Sequence, residues 1–218
     1  MGERDWAAWH APYDEPGSPL HRRLGIVQAR IRAAIDDAPP GPITAISLCA
    51  GQGRDILPVL AAHRRGHDVR ARLVERDERI VDVARASVAE LGLEHVDVVT
   101  DDASVTSAYD GAVPADLVIA CGVFGNIPDA DIANTVAMMP TLCAAGATVI
   151  WTRHRRPPDR TPAISRWFRD AGFDEVAFDT EEGYFFGVGT HRLTGPQRPF
   201  VPDVRLFTFV GDGADANV

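Results

Sequence analysis

The sequence predicts an α/β domain: a doubly wound, mostly parallel sheet of seven strands with helices on both faces and an N-terminal helical flap. Three observations predict it. From residue 43 onward, short apolar runs alternate with amphipathic segments, the pattern of strands joined by crossover helices. A glycine-bearing turn, Cys49-Ala50-Gly51-Gln52-Gly53, falls where the first apolar run meets the first of these helices. The next two runs end on acids, Glu75 and Asp101-Asp102, which places polar groups along one edge of the sheet.

The elements follow in order. Residues 1–17 read as an extended, aromatic-bearing arm broken at Pro12, Pro16 and Gly17. Ser18 then caps a helix with Pro19 at its first position, where a missing N–H costs nothing. Leu20, Leu24, Val27, Ile31 and Ile35 recur at three- and four-residue steps, giving that helix one apolar stripe, and Pro39-Pro40-Gly41-Pro42 stops it. Residues 43–50 form a largely apolar strand of the kind covered on both faces. A helix over 54–63 is followed by Gly66, and a second strand occupies 71–75. The helix over 78–91 carries Val81, Ala84, Val88 and Leu91 on one face, with Gly92 beyond its end. Strands at 96–100 and 115–121, a helix at 132–139 and a strand at 147–152 come next. Thr161-Pro162 opens a helix that runs to Ala171-Gly172 and buries Ile164, Trp167 and Phe168. Residues 173–178 and 205–210 are expected to close the sheet, which leaves 180–203 as an insertion too long for an idle connection. The organisation is thus an arm and helix over 1–40 ahead of a domain over 41–218.

Composition removes several classes of function. A chain of 218 residues with 45% hydrophobic and 24% charged residues suits one globular domain. No apolar run reaches the length of a membrane span, and the first residues lack the apolar stretch of a secretion signal, so a cytoplasmic protein without a membrane partner is expected. The net charge of −9 argues against a broad nucleic-acid surface, although Arg153, His154, Arg155, Arg156 and Arg160 gather locally. All 22 basic residues are arginine. A phosphate-loop lysine and a Schiff-base lysine are therefore impossible. Cys49, Cys121 and Cys143 have neither C-x-x-C spacing nor a histidine partner pattern, and no metal is expected.

The chemistry-bearing residues sit at successive strand ends. Glycines after the first strand let the backbone approach a ligand closely, at the switch point where doubly wound sheets bind their ligands. Glu75 closes the second strand 22 residues after Gly53, where a carboxylate takes ribose hydroxyls of an adenosine-bearing cofactor. Asp101-Asp102-Ala103 follows the third strand, where a carboxylate can accept from an adenine amino group. Each has a plainer reading: a tight turn, a solvated strand end, a helix cap. Their succession at three strand ends favours the cofactor.

These residues resemble the class I S-adenosylmethionine-dependent methyltransferases, with a Rossmann-like sheet, over roughly residues 43–210. The resemblance implies that Ala50, Gly51 and Gly53 hold the methionyl part of S-adenosylmethionine, that Glu75 holds its ribose, and that Asp102, beside Asp101, meets adenine with the backbone of Ala103. It further implies that Ala120-Cys121-Gly122 line the methionine amino group through their carbonyls. Two positions depart from the family: Ser47 stands where an acid is usual, and Cys49 where the first glycine is. The stretch from Trp6 to Ile31 is similar to the arm and helix that small-molecule members fold over the cofactor, and Arg22 or Arg23 would then pair with the methionine carboxylate.

A dehydrogenase fits less well, because its third glycine would fall on Ile56 and the Tyr-x-x-x-Lys pair of short-chain reductases cannot exist without lysine. A cofactor-binding module without catalysis is the second alternative. After the fourth strand the chain reads Ala120-Cys121-Gly122-Val123-Phe124-Gly125, without the Asn/Asp-Pro-Pro-aromatic motif of base-methylating enzymes. Methyl transfer to an oxygen or nitrogen of a small molecule is therefore expected, with Tyr13, Asn126, His154 and His191 as candidates to face it. Residues 1–40 and 180–203, the latter with Tyr184, Phe185, Phe186, His191 and Phe200, are expected to converge over the site and form the acceptor pocket.

Overall fold

The computed structural model describes Glu15 and residues 17–210. In chain order the elements are α1 (Pro19–Asp37), β1 (Ile43–Leu48), α2 (Leu57–Ala62), β2 (Val69–Glu75), α3 (Glu78–Glu90), β3 (Val96–Thr100), β4 (Ala115–Ala120), α4 (Asp129–Leu142), β5 (Cys143–His154), α5 (Thr161–Asp170), β6 (Phe173–Asp179) and β7 (Phe186–Leu193). The strands form one sheet in the order β3-β2-β1-β4-β5-β7-β6. Strands β1 to β5 pair in parallel, and β7 lies antiparallel between β5 and β6.

Each face of the sheet is closed by the apolar stripe of its helices. Ser18 caps α1, its side chain accepting the His21 N–H at 3.0 Å. About two turns into the helix the stripe sinks: Val27, Ile31 and Ile35 are buried. With Leu57 and Leu60 of α2 and Val81 and Ala84 of α3 they cover one face. Val136 and Met139 of α4 and Ile164 and Phe168 of α5 cover the other, and Trp167 packs at its margin. Full burial of an isoleucine such as Ile31 or Ile35 contributes roughly 1.5–3 kcal/mol. The strand order reverses between β1 and β4, so a crevice opens beyond their carboxyl ends.

The seventh strand lies elsewhere than the sequence pattern places it. It comes from within the expected insertion, and seven of its eight residues are buried. Its sequence, Phe-Gly-Val-Gly-Thr-His-Arg-Leu, lacks the apolar alternation of a strand because two of its neighbours are large rings. A Cβ on Gly189 would stand 2.2 Å from the Trp151 ring, and one on Gly187 would stand 2.6 Å from Phe178. Only glycine lets the backbone lie flat against those rings. The expected strand over 205–210 is instead a strap with a single bridge, Val105 to Arg205. Its Leu206 and Phe207 are buried, and Asn134 Nδ2 and Thr135 Oγ1 donate to the Leu206 carbonyl at 2.8 and 3.0 Å. The helix expected over 54–63 starts only at Leu57, because Gly51 to Ile56 form turns first.

Candidate functional site

The carboxyl ends of β3, β2, β1, β4 and β5 lie side by side and bring the expected cofactor residues to one rim. The turn after β1 is built from left-handed residues: Cys49 at φ 51°, Gly51 at 57° and Gly53 at 70°. At Gly53 a Cβ would also come within 2.7 Å of Leu57, so the turn folds tightly only with glycine there. Cys49 adopts this left-handed conformation without glycine's freedom, a strain of about 1–3 kcal/mol. Burial pushes the Cys49 thiol up, and the Glu75 and Asp102 carboxylates push it further, so it stays protonated.

Glu75 ties this turn to β2. Its Oε2 accepts the Gly51 N–H at 3.0 Å, and its Oε1 accepts the N–H groups of Arg76 and Asp77 at 2.8 and 3.0 Å. A carboxylate has about four acceptor positions. Three are filled, which leaves one position open on Oε2. Asp101 Oδ1 accepts the Asp102 N–H at 2.7 Å, and Asp101 hydrogen-bonds back to the end of β2 through its own N–H and the Glu75 carbonyl. Asp102 Oδ1 accepts from the amide and hydroxyl of Ser104 at 3.0 and 2.6 Å. Its Oδ2 has only a long contact of 3.4 Å to Arg205. Burial raises the Asp102 carboxyl, but Ser104 and Arg205 outweigh it and hold its pKa below the ordinary value. Buried Ala103 accepts the Tyr109 hydroxyl on its carbonyl at 2.7 Å.

Beyond β4, Gly122 stands at φ 78° with no atom within 4 Å of a Cβ built on it. Its N–H donates to Thr152 Oγ1 at 2.9 Å, and its carbonyl accepts from Asn126 Nδ2 at 2.7 Å. Asn126 therefore shapes this turn, one amide N–H being spent on the backbone. Burial pushes the Cys121 thiol up, so it is no nucleophile at neutral pH.

The candidates for facing an acceptor separate. Tyr13 and Trp6 lie outside the described residues. His154 ends β5, and burial together with Arg153 and Arg156 holds its pKa below the ordinary value. His191 does not reach the rim: it pairs with Val149, mid-strand, whereas the end of β5 pairs His154 with Phe186. It is 0% exposed, stacks on Phe168 with centroids 4.4 Å apart, and accepts the Trp151 indole N–H on Nδ1 at 3.1 Å. Burial, aided by Arg169 and opposed by Glu175, brings its pKa down to about 4. It is a neutral core residue. Phe186 is buried as well, and Phe200 packs against the core on the α4–α5 face. Of the aromatic segment only Tyr184 and the exposed Phe185 stay at the rim. There Tyr184 meets the start of α1, its hydroxyl donating to the Gly17 carbonyl at 3.1 Å and its ring lying under Arg22. Arg22 also pairs with Glu181 at 2.5 Å.

Four residues matter here that the strand-end reading passed over: Gln28, Asp55, Thr152 and Arg205. Thr152 had a visible signal, a polar side chain at a strand's end. Gln28 and Arg205 had none, because they reach the rim from a helix and a strap: Gln28 Nε2 donates to the Arg54 carbonyl at 2.8 Å. Among the described residues, no three histidine, cysteine or acidic side chains gather as a metal-ligand group, and no helix is long and apolar enough to cross a membrane.

No protein-family model matches the chain, and no curated protein sequence does. Its fold does match solved structures. Magnesium protoporphyrin IX methyltransferase (ChlM) from Synechocystis PCC 6803, with bound SAM, superposes at a TM-score of 0.67 and 13% identity, over 87% of this chain and 91% of that one. An O-methyltransferase family protein from Burkholderia thailandensis matches at 0.64 and 18% identity, over 90% of this chain and 61% of that one. The CurJ carbon methyltransferase matches at 0.66 and 15% identity, over 88% of this chain and 59% of that one. The glycine turn, the acids at the ends of β2 and β3 and the antiparallel β7 all sit on this shared frame, and the chain has the fold of the class I S-adenosylmethionine-dependent methyltransferases.

Proposed function

We propose that this chain is an S-adenosylmethionine-dependent methyltransferase that carries a methyl group to an oxygen or nitrogen of a small-molecule acceptor, with residues 1–40 as a lid. One observation carries the reading above the others. The glycine turn after β1 is locked to the acid after β2 through the Gly51 N–H and Glu75 Oε2 at 3.0 Å, which presents bare backbone beside an unfilled carboxylate position. Such a pair suits a ligand with a hydroxyl-bearing ribose on one side and a compact polar tail on the other. The orphaned oxygen of Asp55 and the open space at Gly122 also fit that tail.

When bound, the cofactor supplies an activated sulfonium methyl. The chain's own residues bind, align and exclude water. Glu75 Oε2 takes a ribose hydroxyl; Asp102 Oδ2, with the backbone of Ala103, takes the adenine end. The backbones of Ala50, Gly51, Gly53, Cys121 and Gly122 line the methionyl part. Asp101 holds the turn that presents Asp102. On the acceptor side, His154 is the candidate to take a proton from the incoming hydroxyl or amine, because its depressed pKa leaves it neutral at pH 7. Tyr184 and Phe185 offer the acceptor an apolar wall. The net charge of −9 favours a small acceptor over a nucleic acid, and the chain's place of action is proposed to be the cytoplasm.

Calorimetry with S-adenosylhomocysteine tests the cofactor. Glu75→Ala should weaken binding about 10- to 100-fold, the range for losing a hydrogen bond to a charged acceptor. Transfer of labelled methyl into pooled small molecules tests the activity, and His154→Ala should stop transfer while S-adenosylhomocysteine still binds. Tight binding of a nicotinamide dinucleotide, with none of S-adenosylhomocysteine, overturns the reading. Cofactor binding without transfer to any acceptor would make the chain a binding module.

A further inference from the structure

The end of β5 carries more positive charge than the fold itself uses. Residues 153–160 and the first residue of α4 hold four arginines, Arg153, Arg155, Arg156 and Arg160, against two acids, Asp129 and Asp159. Both acids are engaged. Asp129 Oδ2 pairs with Arg160 Nε at 2.9 Å, and Asp159 Oδ2 with Arg155 Nε at 3.1 Å. The other oxygen of Asp159 accepts from the amide and hydroxyl of Thr161 at 2.9 and 2.7 Å. Arg153 and Arg156 have no carboxylate partner among the described residues. A chain of net charge −9 thus keeps two uncompensated positive charges in one place, which sets up a local field for an anion.

The two arginines stand on either side of His154. Arg153 is partly buried: its Nη1 donates to the Phe124 carbonyl, and its Nε is shut off from solvent without an acceptor. Burial pulls its pKa below the ordinary value, yet a guanidinium remains charged at neutral pH. Arg156 is exposed. Both charges reach His154, whose Nδ1 is likewise buried without a partner. Buried polar atoms normally find partners, and here two consecutive residues each keep one without.

This cluster borders the crevice beyond β4 and β5. Arg153 is tied to the turn after β4 through Phe124, and Thr152 Oγ1 is tied to the same turn through the Gly122 N–H at 2.9 Å. On the other flank the Arg155 N–H donates to the Phe185 carbonyl at 2.8 Å, which sets Phe185, 64% exposed, beside the arginine loop. An apolar ring and an uncompensated charge therefore meet at the end of one strand.

We infer that the methyl acceptor is a small anion: a molecule with an apolar body and a carboxylate or phosphate group, the anionic group received by Arg156 with Arg153 and the body lying against Phe185. The inference rests on the methyltransferase reading above and names the class of acceptor that reading leaves open. An anion supplies the counter-charge that both guanidinium groups lack, through contacts of the strong, charge-assisted kind. Arg156 is a specificity-determining residue, which selects the acceptor by charge and takes no proton from it.

Benzoate and phenyl phosphate carry the two anionic groups on one ring, and benzyl alcohol is their neutral counterpart. S-adenosylhomocysteine is titrated into the full chain first and alone, so its failure to bind, which sinks the methyltransferase reading, is told apart from a failure of the anions. With that site filled, calorimetry should place at least one anion about tenfold above benzyl alcohol, and the tighter one tells carboxylate from phosphate. Arg156→Glu, at an exposed position, should erase the preference and leave S-adenosylhomocysteine within twofold. Arg166→Glu, exposed on α5, changes the net charge equally and should keep the preference. Labelled methyl offered to small metabolites split on an anion exchanger should enter the retained fraction. Equal binding of anions and benzyl alcohol overturns the inference, as does equal loss in the two variants. Label that enters only the unretained fraction, or RNA instead, overturns it as well.

Discussion

The two halves of the sheet use glycine for opposite reasons. Around β1, β2 and β4 the glycines Gly51, Gly53 and Gly122 have left-handed backbones at strand ends, and Gly122 faces empty space. Around β5, β7 and β6 the glycines Gly187 and Gly189 lie inside a strand and are pressed against Phe178 and Trp151. One set turns the chain at strand ends, where Gly53 also clears Leu57; the other makes room for rings. The polar groups divide the same way. At the rim, Glu75, Asp102 and Asp55 keep unfilled or weakly filled acceptor positions. In the aromatic half, His191 is drawn into a stack with Trp151 and Phe168 and loses its charge. A glycine thus shapes a turn in one half and clears a ring in the other, and only its surroundings tell which.

That contrast can be broken by experiment. The largest effect is expected from Gly189→Val: with a Cβ 2.2 Å from the Trp151 ring, the strand must shift, at a cost of about 3 kcal/mol or more in urea unfolding. A loss under about 1 kcal/mol would mean that β7 does not need glycine there. Next is His191→Leu. The native pKa of about 4 lies below the ordinary 6.5, so the unfolded chain takes up the proton first as pH falls. The stability from keeping His191 neutral is whole above pH 6.5 and disappears by pH 4, about 3 kcal/mol over 2.5 units. The variant should lose that pH dependence relative to the parent, measured by urea midpoints from pH 4 to pH 7. Asp55, with its raised pKa, makes stability fall as pH rises from 3.8 to 6, but it does so in both proteins and cancels in the comparison. At pH 7 the variant should also be weaker by about 1–3 kcal/mol, because the buried Trp151 N–H loses its acceptor. The smallest stability effect is expected from Gly122→Ala, about 1–2 kcal/mol for a left-handed residue that gains a Cβ in open space. Its binding of S-adenosylhomocysteine should nevertheless drop, which calorimetry would show. If Gly122→Ala binds as well as the parent while Gly189→Val does not, the division between the two halves is reversed.

Much of the parallel half was legible without coordinates. Strand ends at Glu75 and Asp101, the turn at Gly51 and Gly53, and the stripe of Val27, Ile31 and Ile35 all follow from local rules of period, capping and punctuation. The antiparallel half was not. Residues 186–193 carry two glycines, a threonine, a histidine and an arginine, and no single-strand rule reads these as a buried strand. The converse error has the same cause: 205–210 alternates apolar residues like a strand, but its partners are Ser104 and α4 rather than a sheet edge. His191 misled for a related reason, since a lone histidine in a polar-looking segment gives no sign that Trp151 and Phe168 will enclose it.

By itself, the sequence determined the α/β class, the order of β1 to β5, the glycine turn and the acids beside it, because each depends on neighbours a few residues away. Tertiary structure decided which segment completes the sheet, that Asn126 is spent on Gly122, that Arg205 reaches Asp102, and that Asp55 keeps an oxygen without a partner. These depend on groups 4 to 103 positions apart meeting in space, and what a carboxylate or a glycine does is set by what packs against it.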